Sequence, residues 1–257
     1  MLRRAIEVVG RAIIRPVEGL GRMSYIGGFG LLNIFLPPLR FRLTVRQMEF
    51  IGVQSLPIIV LTSFFTGAVF TMQSFRAFAM FGAEGLVGGT VGVAVTRELG
   101  PTLTGLLVAG RAGSAMAAEI GAMRVSEQID ALDAMAVDPL NYLVKPRLIA
   151  SMLVTPLLTA TFDFFAVVGA YIVAMYSLNM SYPDFMVRLE QWVDWDDIWG
   201  GLLKAFVFGL IIGVVACYKG FYTRGGAAGV GRATTTSVVV SSVAILVSNY
   251  FIATLLP

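Results

Sequence analysis

Residues 119–139 read EIGAMRVSEQIDALDAMAVDP, an acidic, helix-forming stretch set between two strongly apolar segments. Its reading divides the chain, because a segment with this many carboxylates belongs in water and fixes where its apolar neighbours must end. The surroundings are greasy: 57% of the 257 residues are hydrophobic and 14% charged, with a mean hydropathy of +0.80. Those values are far from soluble averages and point to a polytopic membrane protein. One cysteine and no histidine exclude a disulfide framework, a zinc site and any mechanism that needs an imidazole base.

A spanning helix needs about 20 mainly apolar residues. Working outward from the acidic stretch, five windows fit: 51–73, 85–118, 148–180, 198–218 and 233–256. The window at 85–118 holds Arg97 and Glu98 and is expected to bend or break at Pro101. Basic residues then orient the spans. Eight arginines precede residue 50, the 119–147 connection holds Arg124, Lys145 and Arg147, and the 219–232 connection holds Lys219, Arg224 and Arg232. These regions belong in the cytoplasm. The 181–197 connection carries Asp184, Glu190, Asp194, Asp196 and Asp197 against Arg188, with Trp192 and Trp195 suited to an interface, and belongs on the other side. An odd number of spans puts the N-terminus inside and the C-terminus outside.

No cleavable signal peptide is expected, since Glu7, Arg11 and Arg15 interrupt any apolar run after Arg3 and Arg4. Segment 1–22 spaces its charges helically and leaves Leu2, Ile6, Val9 and Ile13 on another face, as a basic amphipathic helix on a membrane surface does. Segment 25–38 is apolar but too short to span, and reads as interfacial. The expected organisation is thus an all-α polytopic membrane protein. An amphipathic, interfacial region at 1–48 precedes a five-span domain at 49–257.

Small residues recur at every fourth position through Gly105, Ala109, Gly113, Ala117 and Gly121, and through Gly201, Ala205, Gly209, Gly213 and Cys217. Such stripes let helices approach closely in lipid, and packing within one bundle is favoured over dimerisation. Charges inside a membrane cost about 2.5–3.5 kcal/mol each on insertion scales, so Arg97, Glu98, Asp163 and Lys204 need a reason. Arg97-Glu98 beside Pro101 reads equally as a polar patch on a translocation path or as a structural ion pair with Lys204 or Asp163 as partner. Asp163 alone reads as a packing or interhelical hydrogen-bond residue. Gly226 to Gly231 brushes against a phosphate-loop pattern, but Arg232-Ala233 stands where Lys-Ser/Thr is required. Ser114 lacks a base to activate it.

In the opening stretch, Ile120, Met123, Ile129, Leu132 and Met135 supply apolar surface, while Glu119, Glu127, Asp130, Asp133 and Asp138 make an acidic face. Ser126 is expected to start a local helix and Asp138-Pro139 to end it. Anionic lipids repel acids on this side. The acidic-apolar helix therefore suits the groove of a soluble protein partner.

The runs RELGPTLTGLLVAGRAGSAMAAEIGAMRVSEQIDALDAMAVDPLNYLVKPR (97–147) and GFYTRGGAAGVGRATTTSVV (220–239) closely resemble the MlaE (YrbE) family of ABC transporter permeases, over nearly the whole chain. The resemblance implies a homodimer in the bacterial inner membrane, bound to two copies of a cytoplasmic ABC ATPase and to a periplasmic hexamer of MCE-domain lipid carriers. Together these move phospholipids between inner and outer membranes and maintain outer-membrane asymmetry. ATP and magnesium are implied on the partner ATPase, with no cofactor on this chain and no nucleic-acid partner. Residues about 119–138 are implied as the coupling helix, with Glu119, Glu127, Asp130, Leu132, Asp133, Met135 and Asp138 as candidate contacts. The implied lipid cavity lies at the dimer interface, lined by the first and fifth spans and the Arg97-Glu98 region. Arg97, Glu98 and Lys204 are its expected polar or gating residues, and Phe70, Phe78 and Phe81 its apolar lining. Two other readings are a proton-coupled secondary transporter using Glu98 or Asp163 and a membrane scaffold; five spans without half-to-half similarity argue against the first.

Overall fold

The computed structural model describes residues 18–19, 21–30, 32 and 40–255, and all regular structure among them is helical. Most of the amphipathic helix expected at 1–22 lies outside the described residues, as do 31 and 33–38 of the interfacial segment. Residues 21–30 are helical. One face of that segment packs on protein: Ile26 is buried in a cluster with Ile120, Ile129, Leu148 and Cys217.

Helix α1 (Phe41–Ile51) passes through a tight turn at Val53–Ser55 into α2 (Leu56–Ala79). Pro57 sits in the first turn of α2, where its missing N–H costs no helical hydrogen bond. Helices α3 (Val87–Ala94), α4 (Gly100–Val108) and α5 (Ser114–Val125) then follow end to end, joined by π turns at Val95–Leu99 and Ala109–Gly113. After the short α6 (Gln128–Ala134), a π turn at Leu140–Val144 leads into α7 (Lys145–Ile172). A short α8 (Arg188–Trp192) precedes α9 (Trp195–Phe221) and α10 (Gly226–Leu255). Asp194 and Asp197 form a reciprocal capping box at the start of α9.

Four helical runs among the described residues are long and apolar enough to cross a membrane: Phe41–Ala79, Leu140–Ser177, Trp195–Phe221 and Gly226–Leu255. They correspond to the expected first, third, fourth and fifth spans. The expected second span is absent from that set, since Arg97, Glu98 and Arg111 lie along it. Of the bend or break expected at Pro101, no break is found, and the irregularity there is a π turn at Val95–Leu99. The chain is helical from 87 to 125, because the π turn ahead of the proline widens the helix, with Gly100 N–H donating to the Val95 carbonyl.

Helix α7 is the central post, flanked by α2 on one side and α9 on another, while α5 and α10 pack against α9. The small-residue stripes work inside this chain. Gly209 of α9 lies against the Ser151 backbone of α7, and Gly105 and Gly113 lie against Phe208 and Ile212 of α9. At the α2–α7 crossing Gly67 meets the Ala166 backbone and Gly169 meets the Phe64 backbone. Backbones this close leave no room for a Cβ on either side. By contrast, only 11% of the apolar window of α10 is buried.

Candidate functional site

The π turn at Val95–Leu99 carries Arg97 and Glu98, and Pro101 follows it. Proline has no N–H to offer the carbonyl four residues back, which is that of Arg97. Lys204 supplies a donor instead: its ammonium, 4% exposed on α9, donates to the Arg97 carbonyl at 2.9 Å and to Glu98 Oε1 at 2.5 Å. The second Glu98 oxygen accepts from Asn249 Nδ2 of α10 at 2.8 Å. Arg97 turns the other way, and its Nε donates to Asp197 Oδ1. Asp197 is itself buried, and its other oxygen accepts the Asp194 N–H at 3.1 Å.

Close approach of α9 to the π turn makes this register possible, because Gly201 lies against the Thr96 carbonyl and the Pro101 ring. Two opposed ion pairs and one amide therefore lock three helices together. The four formal charges of these two pairs balance, so pairing offsets part of the cost of burying Lys204 and Asp197. The cluster borders a cavity of 490 Å³ lined by Trp199, Gly200, Leu203, Ala253 and the carboxylate of Asp196, together with Arg97, Glu98, Asp197, Gly201 and Lys204. The Arg97 and Glu98 side chains are 48% and 44% exposed. The terminal guanidinium nitrogens of Arg97 have no hydrogen-bond partner among the described residues, while the lining as a whole carries three acids, Glu98, Asp196 and Asp197, against Arg97 and Lys204.

Asp163 does not join this cluster. Its carboxylate packs against Gly100, with Oδ1 buried and without a hydrogen-bond partner among the described residues. None of the three phenylalanines lines the cavity. Phe70 lies in a separate groove with Phe65, Gln73 and Leu99, Phe78 packs on the main core, and Phe81 is 82% exposed just after α2. The cavity walls are α9, α10 and the π turn, with no residue of α2 among them.

The acidic stretch forms a helical hairpin rather than one helix. Ser126 ends α5, its hydroxyl donating back to the Ala122 carbonyl at 2.9 Å, and Glu127 takes a left-handed φ of 58° to start α6. Asp138 likewise begins an element instead of ending one, accepting the Leu140 N–H at 2.9 Å ahead of α7. Several of the acids are already engaged. Glu119 pairs with Arg147 at 2.6 Å, Asp130 pairs with Arg124 at 2.6 Å, and Asp138 accepts from Asn141 at 2.6 Å. Leu132 turns inward onto the buried cluster that includes Ile129 and Leu143. At the tip stand Glu127 and Asp133, exposed and without a side-chain partner among the described residues, beside Met135 at 65% exposure.

Three functional-looking residues escape the sequence reading. Asn249 is the one amide or charge in 233–256, and that isolation was its signal. Asp197 reads as one loop acid among several, although Asp194-x-x-Asp197 is a capping-box pattern. Arg111 lies inside the 85–118 window; it donates to the Phe50 carbonyl at 2.5 Å and to Ser55 Oγ at 3.3 Å, pinning the joint between α1 and α2.

The sequence matches the Permease MlaE family over residues 44–255. It is 44% identical over 252 residues to a probable ABC transporter permease protein of Rickettsia prowazekii, covering 98% of this chain and 97% of that one. Identity is 36% over 249 residues, 96% and 95% of the two chains, to the intermembrane phospholipid transport system permease protein MlaE of Haemophilus influenzae. The protein TRIGALACTOSYLDIACYLGLYCEROL 1, chloroplastic, of Arabidopsis thaliana is 40% identical over 229 residues, 88% of this chain and 64% of that one.

Proposed function

This chain belongs to the MlaE family of ABC transporter permeases, and we propose that its cargo is phospholipid, moved between inner and outer membranes to maintain outer-membrane asymmetry. The observation that carries the reading is the Lys204–Glu98–Asn249 cluster with Arg97, a charged lattice beside a 490 Å³ cavity. A phosphate headgroup suits the free end of Arg97, and the Trp199 and Leu203 walls suit its acyl chains. The name of the Haemophilus relative supports the same cargo.

The remaining parts of the assembly follow from physical economy. No nucleotide-binding loop stands in the sequence, which leaves another chain or an ion gradient as the energy source; membership of an ABC permease family favours a separate ATPase that carries ATP and magnesium, with this chain as its non-enzymatic subunit. The α5–α6 hairpin, with Glu127, Asp133 and Met135 at its tip, is the piece offered to that ATPase. The sparsely buried α10 exposes Val239, Val243, Val247 and Phe251, a face suited to a second copy in a homodimer. The basic connections favour a cytoplasmic N-terminus and hairpin, with the C-terminus and Trp195 on the opposite side, and the membrane in this reading is the bacterial inner membrane. A periplasmic hexamer of MCE-domain carriers is the proposed receiver there.

Reconstitution with the co-purified ATPase in phospholipid vesicles tests this reading. ATP-dependent transfer of labelled phospholipid is expected, weakened by Glu98→Ala. Proton-driven lipid movement without any ATPase bound overturns it.

A further inference from the structure

The uninterrupted helix from 87 to 125 carries the Arg97–Glu98 turn near its start and runs into the α5–α6 hairpin at its end. Its second π turn, Ala109–Gly113, lies between them and holds Arg111, about 20 Å along the helix from Glu98. The guanidinium reaches away from this helix. Nη1 donates to the Phe50 carbonyl at 2.5 Å and to Ser55 Oγ at 3.3 Å, Nη2 donates to Gln54 Oε1, and the group stacks 4.9 Å over the Phe50 ring. All of these contacts fall on the joint where α1 ends at Ile51 and α2 begins at Leu56. A helix end leaves its last carbonyls to outside donors; Ser55 Oγ serves that of Ile51 at 2.6 Å, and Arg111 serves that of Phe50. On its other side the joint rests on α7, since a Cβ added to Gly52 would stand 3.0 Å from Val154 Cγ1.

Beyond Arg111, α1 and α5 stand apart. Arg46, Gln47 and Gln54 line one side of a recess of 420 Å³, and Ala115 and Glu119, which continue the face of Arg111 at four-residue spacing, line the other. Among the described residues no other side-chain hydrogen bond joins 87–125 to 41–79. Arg111 is therefore a strut across an opening and not one contact in a packed seam. Arginine suits that place, because its planar fork of fixed donors serves three acceptors at once, which a lysine ammonium on a flexible stem does not. We propose that Arg111 is a positioning residue for transport. It fixes the α1–α2 joint against the helix that carries both the cavity cluster and the hairpin, so that displacement of the hairpin reaches α1 and α2. This deepens the function proposed above and rests on it, because the displacement is supplied by an ATPase at the hairpin.

The test uses the permease with its co-purified ATPase in vesicles of phosphatidylethanolamine and phosphatidylglycerol, with ATP hydrolysis and transfer of labelled phospholipid measured on the same sample. Arg111→Met should retain the ATPase and continue to hydrolyse ATP, while the phospholipid moved per ATP falls roughly tenfold. Arg111→Lys, which keeps the charge and one donor, should recover part of that ratio. Hydrogen exchange in Arg111→Met should quicken at amides 50–56 and stay unchanged across α7, the mark of a folded bundle with a loosened joint. Gln54→Ala removes one acceptor and leaves the Phe50 bond in place; it carries the test where Arg111→Met fails to fold, with a smaller fall in the same ratio. An unchanged ratio, whether hydrolysis and transfer stay at the wild-type level or fall together, marks a merely structural residue and overturns the proposal. Wild-type exchange at 50–56 in Arg111→Met overturns it as well, since the joint is then held without the strut. A wild type that moves no phospholipid with ATP overturns the proposed function and this inference with it, an outcome distinct from a failure at Arg111 alone.

Discussion

Lys204 donates at 2.9 Å to the carbonyl of Arg97, the residue four positions before Pro101, and so gives that carbonyl a hydrogen bond the proline cannot. The same ammonium bonds Glu98 at 2.5 Å. One buried cation therefore both completes a helix turn and neutralises a carboxylate.

Replacing Lys204 by Met removes both contacts and leaves Glu98 with Asn249 alone. Interhelical polar contacts in membranes contribute about 0.6–2 kcal/mol, and Glu98 is 44% exposed, which limits the loss. A destabilisation of about 1–2 kcal/mol is expected in detergent unfolding. In a double-mutant cycle, Lys204→Met with Glu98→Gln should cost less than the sum of the two single changes. Additive costs would show that the pair is not coupled.

Pro101→Ala restores an N–H in the turn after Glu98. The helix should then tighten toward ordinary α geometry, withdrawing the Arg97 carbonyl from Lys204. Hydrogen exchange checks this directly: the new amide at 101 should be protected and the neighbouring 95–100 amides slowed. An unprotected amide at 101 would show that the π turn persists without the proline.

Gly67→Leu forces a side chain into the Ala166 backbone at the α2–α7 crossing. A loss of about 3 kcal/mol is expected from overpacking. Gly231→Ala, where an added Cβ meets nothing within 4 Å, should instead raise helix stability by up to about 1 kcal/mol. Thermal unfolding of the two variants side by side separates crowding from propensity; similar behaviour would contradict the close crossing.

Asp133→Lys and Glu127→Lys reverse the two unpaired carboxylates of the hairpin tip and are expected to weaken ATPase retention roughly tenfold each. Asp130→Ala breaks only an exposed pair with Arg124, worth about 0–1 kcal/mol, and should retain the ATPase. Pull-down of the ATPase from membranes expressing each variant measures the difference. Equal retention in all three would remove the hairpin tip from the interface.

Much of the candidate site was visible in sequence as isolated parts. Arg97, Glu98 and Lys204 stand out because charge is costly in an apolar stretch, and they do meet. Asn249 passed unnoticed, although an amide alone among apolar residues is the same kind of signal. Asp163 is also an ionisable residue in an apolar stretch, yet it packs beside Gly100 away from the cluster, since hydropathy does not encode the rotation of one helix against another. The phenylalanines have no signal beyond position, and the structure scatters them over a separate groove, the core and the surface.

The sequence by itself determined the membrane class, the four strongly apolar helices and the acidic insert between the second and third expected spans. Water excludes apolar runs and lipid excludes unpaired charge, and both effects are read along the chain. Tertiary structure alone decided which charges pair: Arg97 with Asp197 100 residues away, Glu98 with Lys204 106 residues away and with Asn249 151 residues away. It also decided that Pro101 is absorbed by a π turn and that the acidic insert is a hairpin opened by Glu127 in a left-handed conformation. These outcomes depend on where glycines let helices touch and on the register that contact imposes. That register is a property of two surfaces meeting, and no single stretch of sequence contains it.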